Sequence, residues 1–273
     1  MTFSIVARSA DGESWGVAVA SKFLGVGAAV PAARAGVGAL ATQSYANTSF
    51  KARGLSLLAA GSNAQQTLDQ LLADDEGREQ RQVGIVDRDG GTATYSGTGC
   101  HDWAGGVTGA GVAIQGNILA SPEVVDAIQA AWQGTEDDAP LRHRLLEALR
   151  AGDAAGGDRR GRQSAALLVV RAGAGYAGFD DVAVDLRVDD HPTPVQELAR
   201  LLDLHELYFV PPDPAELLPL TEPLSDEMDG LARDLGHSDF SAWVGCENFE
   251  NRAWPDRVDP LVLQILRNQS RAS

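Results

Sequence analysis

Threonine stands second in this chain, directly after Met1. A small second residue is what methionine removal tolerates, and a chain that begins at Thr2 holds a nucleophile and a base in one residue. The Oγ attacks, and the α-amine, whose ordinary pKa is about 7.7–8.0, takes its proton near neutral pH. The plainer alternative is that Thr2 only begins a strand. What faces Thr2 depends on the next twenty residues. TFSIVA and WGVAVAS alternate like strands around SADGES, whose Asp11-Gly12 pair predicts a hairpin turn. A two-residue turn sets Thr2 opposite Ser21; a three-residue loop sets it opposite Lys22. Either register gathers Thr2, Ser21 and Lys22 at the open end. A lysine beside the amine keeps the amine neutral and favours ionisation of the hydroxyl. Its alternative is a solvated charge at a strand end.

Further polar residues cluster where apolar strands end. Thr42, Gln43 and Ser44 follow VGAL, Gln115 and Asn117 bracket Gly116 after GVAI, and Asp158 to Ser164 precede AALLVV. If these ends meet at one rim, Gln43 or Asn117 can donate to the oxyanion that develops when an acyl bond is cleaved. Turn and strand-end hydrogen bonding is the competing use. GGDRRGRQS concentrates three arginines in an acidic chain, and Asp158 and Arg162 within it are candidate substrate-binding residues. A substrate carboxylate held bidentately and an ion pair between subunits fit this segment equally.

Other constellations are weaker. Alternation in VAVDLRVDD sends Val184 and Val188 to one face and Asp185 and Asp189 to the other, the pattern of a solvated strand face and not of a metal cluster. GVGA and GAGAG lack the lysine and the strand-turn-helix setting of a phosphate loop. Cys100, His101 and Asp102 have no context that supports thiol catalysis. No metal and no cofactor are expected.

The elements that must position these residues come in runs. After the hairpin, GVGAAVP and GVGALATQ read as strands, and RGLSLLAAG and SNAQQTLDQLLADD as helices, the second capped near Ser62-Asn63. RQVGIVDRDGG with TATYSG gives a second hairpin and GAGVAIQ another strand. SPEVVDAIQAAW and PLRHRLLEALRAG follow as helices, SAALLVVR and DVAVDLRV as strands, and TPVQELARLLDLH as a helix. Runs of strands alternating with runs of helices predict an α+β layered fold, not a parallel βαβ sheet. The proline-rich VPPDPAELLPLTEP then marks a change of texture. Domains are expected at 1–205 and 206–273, the second a small helical appendage. Its helices are read over LSDEMDGLARDLG and DPLVLQILRN, joined by an irregular segment holding Trp243, Asn248, Phe249 and Trp254.

MTFSIVA, VAVASKFLGVG, PAARAGVGALATQ, RQVGIVD, QGNILA, GDRRGRQSAALLVV and VDLRVDDHPTPVQELARLL together resemble the bacterial family catalogued as domain of unknown function 1028. The resemblance covers nearly all of residues 2–205. It implies a fold like that of the N-terminal-nucleophile hydrolases, a four-layer αββα sandwich of two antiparallel sheets flanked by helices. It also implies Thr2 as nucleophile and Lys22 as its neighbour, and it supplies no substrate. The segment from Leu207 to Arg267, with GCENFENR and DPLVLQILR, is similar to one named for peptidoglycan binding. Read from its residues alone, it is a helical appendage that buttresses the main domain or forms an oligomer contact.

Composition bounds the partners. The 273 residues carry 22 Lys and Arg against 38 Asp and Glu, a net charge of −16, which disfavours nucleic acid and anionic membrane. No stretch approaches the roughly 18 apolar residues of a membrane span. The first residues lack a basic start and an apolar export run, and the two cysteines have no pairing signal, so a cytoplasmic protein is expected. The function expected is hydrolysis of a small amide-like C–N bond by Thr2. The competing class is a non-catalytic binding or oligomerisation module, one that would take a cell-wall fragment. A homo-oligomer fits the Gly- and Ala-rich strands.

Overall fold

The computed structural model describes residues 2–272. β1 (Thr2–Arg8) and β2 (Ser14–Ser21) form the first hairpin, followed by α1 (Val26–Ala29), β3 (Pro31–Arg34) and β4 (Gly38–Ser44). Next come α2 (Ser49–Ala59), α3 (Ala64–Ala73), β5 (Arg81–Asp87), β6 (Thr92–Ser96), β7 (Gly105–Gly109) and β8 (Val112–Asn117). α4 (Glu123–Gly134) and α5 (Leu141–Ala154) precede β9 (Ser164–Arg171), β10 (Val182–Val188) and α6 (Pro194–Phe209). The chain ends with β11 (Leu218–Pro219), α7 (Glu222–Asp234), α8 (Phe240–Glu247), β12 (Arg257–Val258) and α9 (Pro260–Ala272). Two compact units divide it, residues 1–201 and 202–273.

The first unit has the expected α+β architecture. One antiparallel sheet runs β10-β9-β2-β1-β8-β7 and the other β3-β4-β5-β6. β1 and β8 lie against β4 and β5 of the facing sheet, α5 packs on the outer side of β1, β2 and β9, and α2 and α3 cover β3 to β6. Outside the second sheet, Leu40, Phe50, Leu58, Leu71 and Ile85 are buried together, each contributing about 1.5–3 kcal/mol.

Strand alternation divides the space between the sheets into two chemistries. Along β1, Phe3 points outward to Gly152 of α5, while Ser4 reaches Gln43 of the facing sheet and Val6 joins the apolar core. Thr2 lies opposite Asn117, Ser4 opposite Gln115, and Val6 opposite Ala113; Gln43 lies opposite Gln82 and Ala39 opposite Val86. The inter-sheet layer is therefore apolar around Val6, Ala39, Val86 and Ala113, and polar at the Thr2 end. Gly84 makes room for this: a Cβ there would lie 2.0 Å from Gln115 Oε1.

Three details depart from the sequence reading. The hairpin has the register of a two-residue turn, Phe3 opposite Ala20 through Arg8 opposite Trp15, yet its tight turn is Ser9–Gly12, with Gly12 in the left-handed region at φ 76°. GVGAAVP is not a strand: Gly25 (φ 64°) breaks the chain, and the Ser164 hydroxyl takes the Val26 N–H, so a single helical turn forms before β3. The edge strand β7 was hidden by its glycines, which the ring of Trp103 and the Ile114 carbonyl require, since a Cβ at Gly105 or Gly106 would meet them at 2.7 and 2.6 Å.

The second unit centres on Met228, Trp243, Phe249, Val258, Val262 and Leu266. Trp243 belongs to a helix and not to an irregular segment. α8 starts at Asp239, whose carboxylate accepts from Ala242 N at 2.8 Å, and ends at Asn248 in the left-handed region. Its apolar residues make no one-sided stripe, so only its caps mark it in the sequence. Arg252, 8% exposed, pairs with Asp259 and donates to the Leu207 carbonyl, to the Glu206 carbonyl at 2.6 Å and to the Val210 carbonyl at 2.9 Å. One guanidinium thus closes the open carbonyls at the end of α6. No helix among the described residues is long and apolar enough to cross a membrane.

Candidate functional site

Antiparallel pairing brings many strand ends to one rim. The start of β1 lies between the end of β2 and the end of β8, and the start of β9 is beside Ser21. In the facing sheet the end of β4 and the start of β5 meet, Ser44 opposite Arg81. Two non-glycine residues at these ends, Ser44 and Ile118, hold left-handed backbone, φ 71° and 50°. Such strain persists where the surroundings over-determine it, and it concentrates at functional sites.

Under this rim lies a buried polar cluster. Thr2 Oγ1 is 3.1 Å from Ser21 Oγ. Ser4 Oγ donates to Gln43 Oε1 at 2.8 Å and accepts from Gln115 Nε2 at 2.7 Å. Gln43 Nε2 lies 3.3 Å from the Thr2 carbonyl and 2.8 Å from Gln82 Oε1, which also accepts from Asn117 Nδ2 at 2.8 Å. Gln82 Nε2 in turn donates to Ser96 Oγ and the Gly116 carbonyl, each at 2.7 Å, and lies 3.3 Å from the Gly105 carbonyl. Ser4, Gln43, Gln82, Gln115 and Asn117 are all at most 1% exposed, and Thr2 is 6% exposed. A buried amide without partners costs about 1–3 kcal/mol; with partners it fixes one arrangement of the strands around it.

The sequence-predicted residues thus fall into two groups. Thr2, Ser21, Gln43 and Asn117 come together in this cluster. Lys22, Asp158 and Arg162 lie in the segments just outside it. Lys22 is exposed, its backbone N–H donates to Asp158 Oδ2 at 2.6 Å, and its ammonium donates to the Arg162 carbonyl at 3.2 Å. Asp158 also accepts from the Arg160 backbone N–H at 2.8 Å, so it organises its own turn. The Arg162 guanidinium turns to Asp153 at 2.7 Å and lines an open groove of about 610 Å³ beside α4 and α5. Met1, on whose removal a free Thr2 amine depends, is outside the described residues. Gln82 was missed by the sequence reading. In RQVGIVD it sits next to Arg81 just before the apolar run, at the position that faces Gln43.

Outside the cluster, Asp75 pins the rim. Arg81 donates to its carboxylate through Nε at 2.7 Å and Nη2 at 3.2 Å, Asn47 Nδ2 at 3.2 Å and Gly77 N at 3.0 Å, while Arg81 Nη1 reaches the Tyr45 carbonyl at 2.6 Å. The hydrogen bonds from Arg81 lead in lowering the Asp75 carboxyl from 3.8 to about 2, against burial, which acts the other way. The folded value lies below the unfolded one, so the stabilisation is complete above about 4 and is lost as pH falls through about 2. It amounts to about 2 kcal/mol. In urea titrations at about pH 5 and about pH 2, wild-type protein is expected to lose that much more stability than Asp75→Asn; an equal loss in both contradicts the assignment.

Cys100 is buried with its thiol 3.3 Å from the Arg81 carbonyl, a packing position. Among the described residues, no group of three or more His, Cys, Asp or Glu side chains is arranged to hold a metal ion.

Comparison with known proteins bears on both units. Residues 224–266 match a family model described as "Putative peptidoglycan binding domain". This match overturns the expectation of a cytoplasmic protein. Peptidoglycan lies outside the cytoplasmic membrane, so the match points to association with the cell wall. No curated protein matches the chain. A crystal structure of a Silicibacter pomeroyi protein assigned to the DUF1028 family is similar with a TM-score of 0.68 at 31% identity, over 75% of this chain and 86% of that one. With residues 2–198 matching the model described as "Family of unknown function (DUF1028)", and with that solved relative alongside, this chain belongs to the DUF1028 family.

Proposed function

We propose that the chain, once Met1 is removed, hydrolyses a small amide-like C–N bond with Thr2 as its nucleophile. The observation that carries this reading is the setting of Thr2: its hydroxyl 3.1 Å from Ser21 Oγ, its carbonyl under the Gln43 amide, at the open end of a central strand. Thr2 Oγ attacks the substrate carbonyl and the α-amine takes the hydroxyl proton. Asn117, paired with Thr2 across the sheet, supplies the donor for the oxyanion, while Gln43 holds the Thr2 backbone in place. The amine then protonates the departing nitrogen. Water, deprotonated by the same amine, cleaves the ester left on Thr2 and releases the acid. Lys22 next to Ser21 keeps the mouth of the site positive and the amine unprotonated. Intact mass and an amide-hydrolysis screen test the reading together. Protein lacking Met1 is expected to turn over at least one small amide or ureido compound, and uniform retention of Met1 in the native host would sink the mechanism.

The match of residues 224–266 favours a second reading for the C-terminal unit, that it binds a cell-wall fragment. The full chain is then expected to co-sediment with purified peptidoglycan sacculi, and recovery wholly in the supernatant is the contrary result.

A further inference from the structure

The segment around Asp158 spans the mouth of β1. On one side, Arg159 N donates to the Ile118 carbonyl at 3.3 Å and Asp158 bridges to Leu119, both just beyond Asn117 at the end of β8. On the other, Asp158 accepts from Lys22 N and Arg160 Nη2 donates to the Lys22 carbonyl at 3.0 Å, just beyond Ser21 at the end of β2. β1 lies between these two strands, so the turn crosses directly over the end that carries Thr2. It brings Lys22, Arg159, Arg160 and Arg162 to this end of a chain whose net charge is −16.

The carboxylates beside them are already committed. Asp158 is spent on two backbone N–H groups and on Arg160 at 3.4 Å, and Asp153 on Arg162 at 2.7 Å. Among the described residues no carboxylate pairs with Lys22 or Arg159, although both side chains are exposed. Among the described residues the Lys22 ammonium keeps only a carbonyl partner, that of Arg162. The backbones of two cationic residues are thus held on opposite sides of Thr2, and among the described residues neither side chain has a carboxylate partner. An acidic protein repels anions over most of its surface, so a local positive mouth selects where an anion enters.

We propose that the substrate bears a carboxylate, and that Lys22 and Arg159 hold it while the scissile carbonyl lies over Thr2. The class is an N-acyl or N-carbamoyl amino acid or a comparably short amide acid. The arginine supplies a fork suited to two carboxylate oxygens and the lysine a point charge. This rests on the reading of Thr2 as nucleophile, but its test does not need turnover.

Calorimetric titration of the full-length Thr2→Ala protein with N-acetylglycine and with the neutral N-acetylglycinamide tests the proposal. The acid is expected to bind at least about tenfold tighter than the amide, and Lys22→Gln and Arg159→Gln each to remove most of that preference. Arg34→Gln, an exposed residue at the end of β3, is expected to leave it intact. Raising the salt concentration should weaken the acid and leave the amide unchanged. Equal affinity for both probes, a preference that survives Lys22→Gln and Arg159→Gln, or acid binding weaker than about 10 mM overturns the proposal. If Thr2→Ala retains turnover while the preference for the acid persists, the nucleophile falls and the anion site stands.

Discussion

Thr2→Ala is expected to lower turnover by about 10⁴-fold or more while the protein stays folded. The lost hydroxyl takes with it one hydrogen bond to Ser21, worth about 1 kcal/mol, which in a chain of this size shifts the thermal midpoint by about 2–4 °C. Phe3 and Ile5, whose burial anchors β1, are untouched. Thr2→Ser keeps the oxygen but not the methyl group that restricts χ1, so it should retain turnover about 10- to 100-fold below wild type. Initial rates on Met1-free protein, with the intact mass of each variant, decide the matter. Wild-type turnover in Thr2→Ala removes this residue from the chemistry.

Gln82→Leu is expected to cost about 3–5 kcal/mol of stability, more than any single surface change in this protein. Five hydrogen bonds converge on this amide. Its oxygen accepts from Gln43 and Asn117, and its nitrogen serves Ser96, Gly105 and Gly116. Leucine has similar bulk and satisfies none of these groups, which stay buried. Gln82→Glu keeps the shape and the two accepted bonds but loses the donated ones and places an acid where burial disfavours its charge. It should therefore fail nearly as badly. The urea midpoint reads both variants, and a loss below about 1 kcal/mol in Gln82→Leu would show that the cluster does not clamp the sheets.

Much of this was legible before any coordinates. The period-two pattern gave the hairpins, and the turn at Asp11-Gly12 narrowed the partner of Thr2 to Ser21 or Lys22, of which the register selects Ser21. Gln43 and Asn117 were visible as polar residues closing apolar strands. Gln82 was not, because it stands second in its strand beside Arg81, and a polar residue near a strand start reads as solvent-facing until the opposite strand is known. The same limit applies to the arginines at 159–162. Their density was plain, but that Arg162 turns back to Asp153 while Arg159 does not depends on how the chain leaves α5, which the intervening glycines do not reveal. GVGAAVP misled for a related reason: its alternation is genuine, and a hydroxyl from β9 overrules it.

The guanidinium of Arg252 has a consequence for where the C-terminal module ends. The family model that matches there spans residues 224–266, but Arg252 inside it draws on carbonyls at 206, 207 and 210. A fragment excised at the borders of the match would keep the charged side chain and Asp259 while discarding its three backbone acceptors. The smallest piece able to stand alone therefore reaches back into the last turns of α6, and the homology boundary is not the folding boundary.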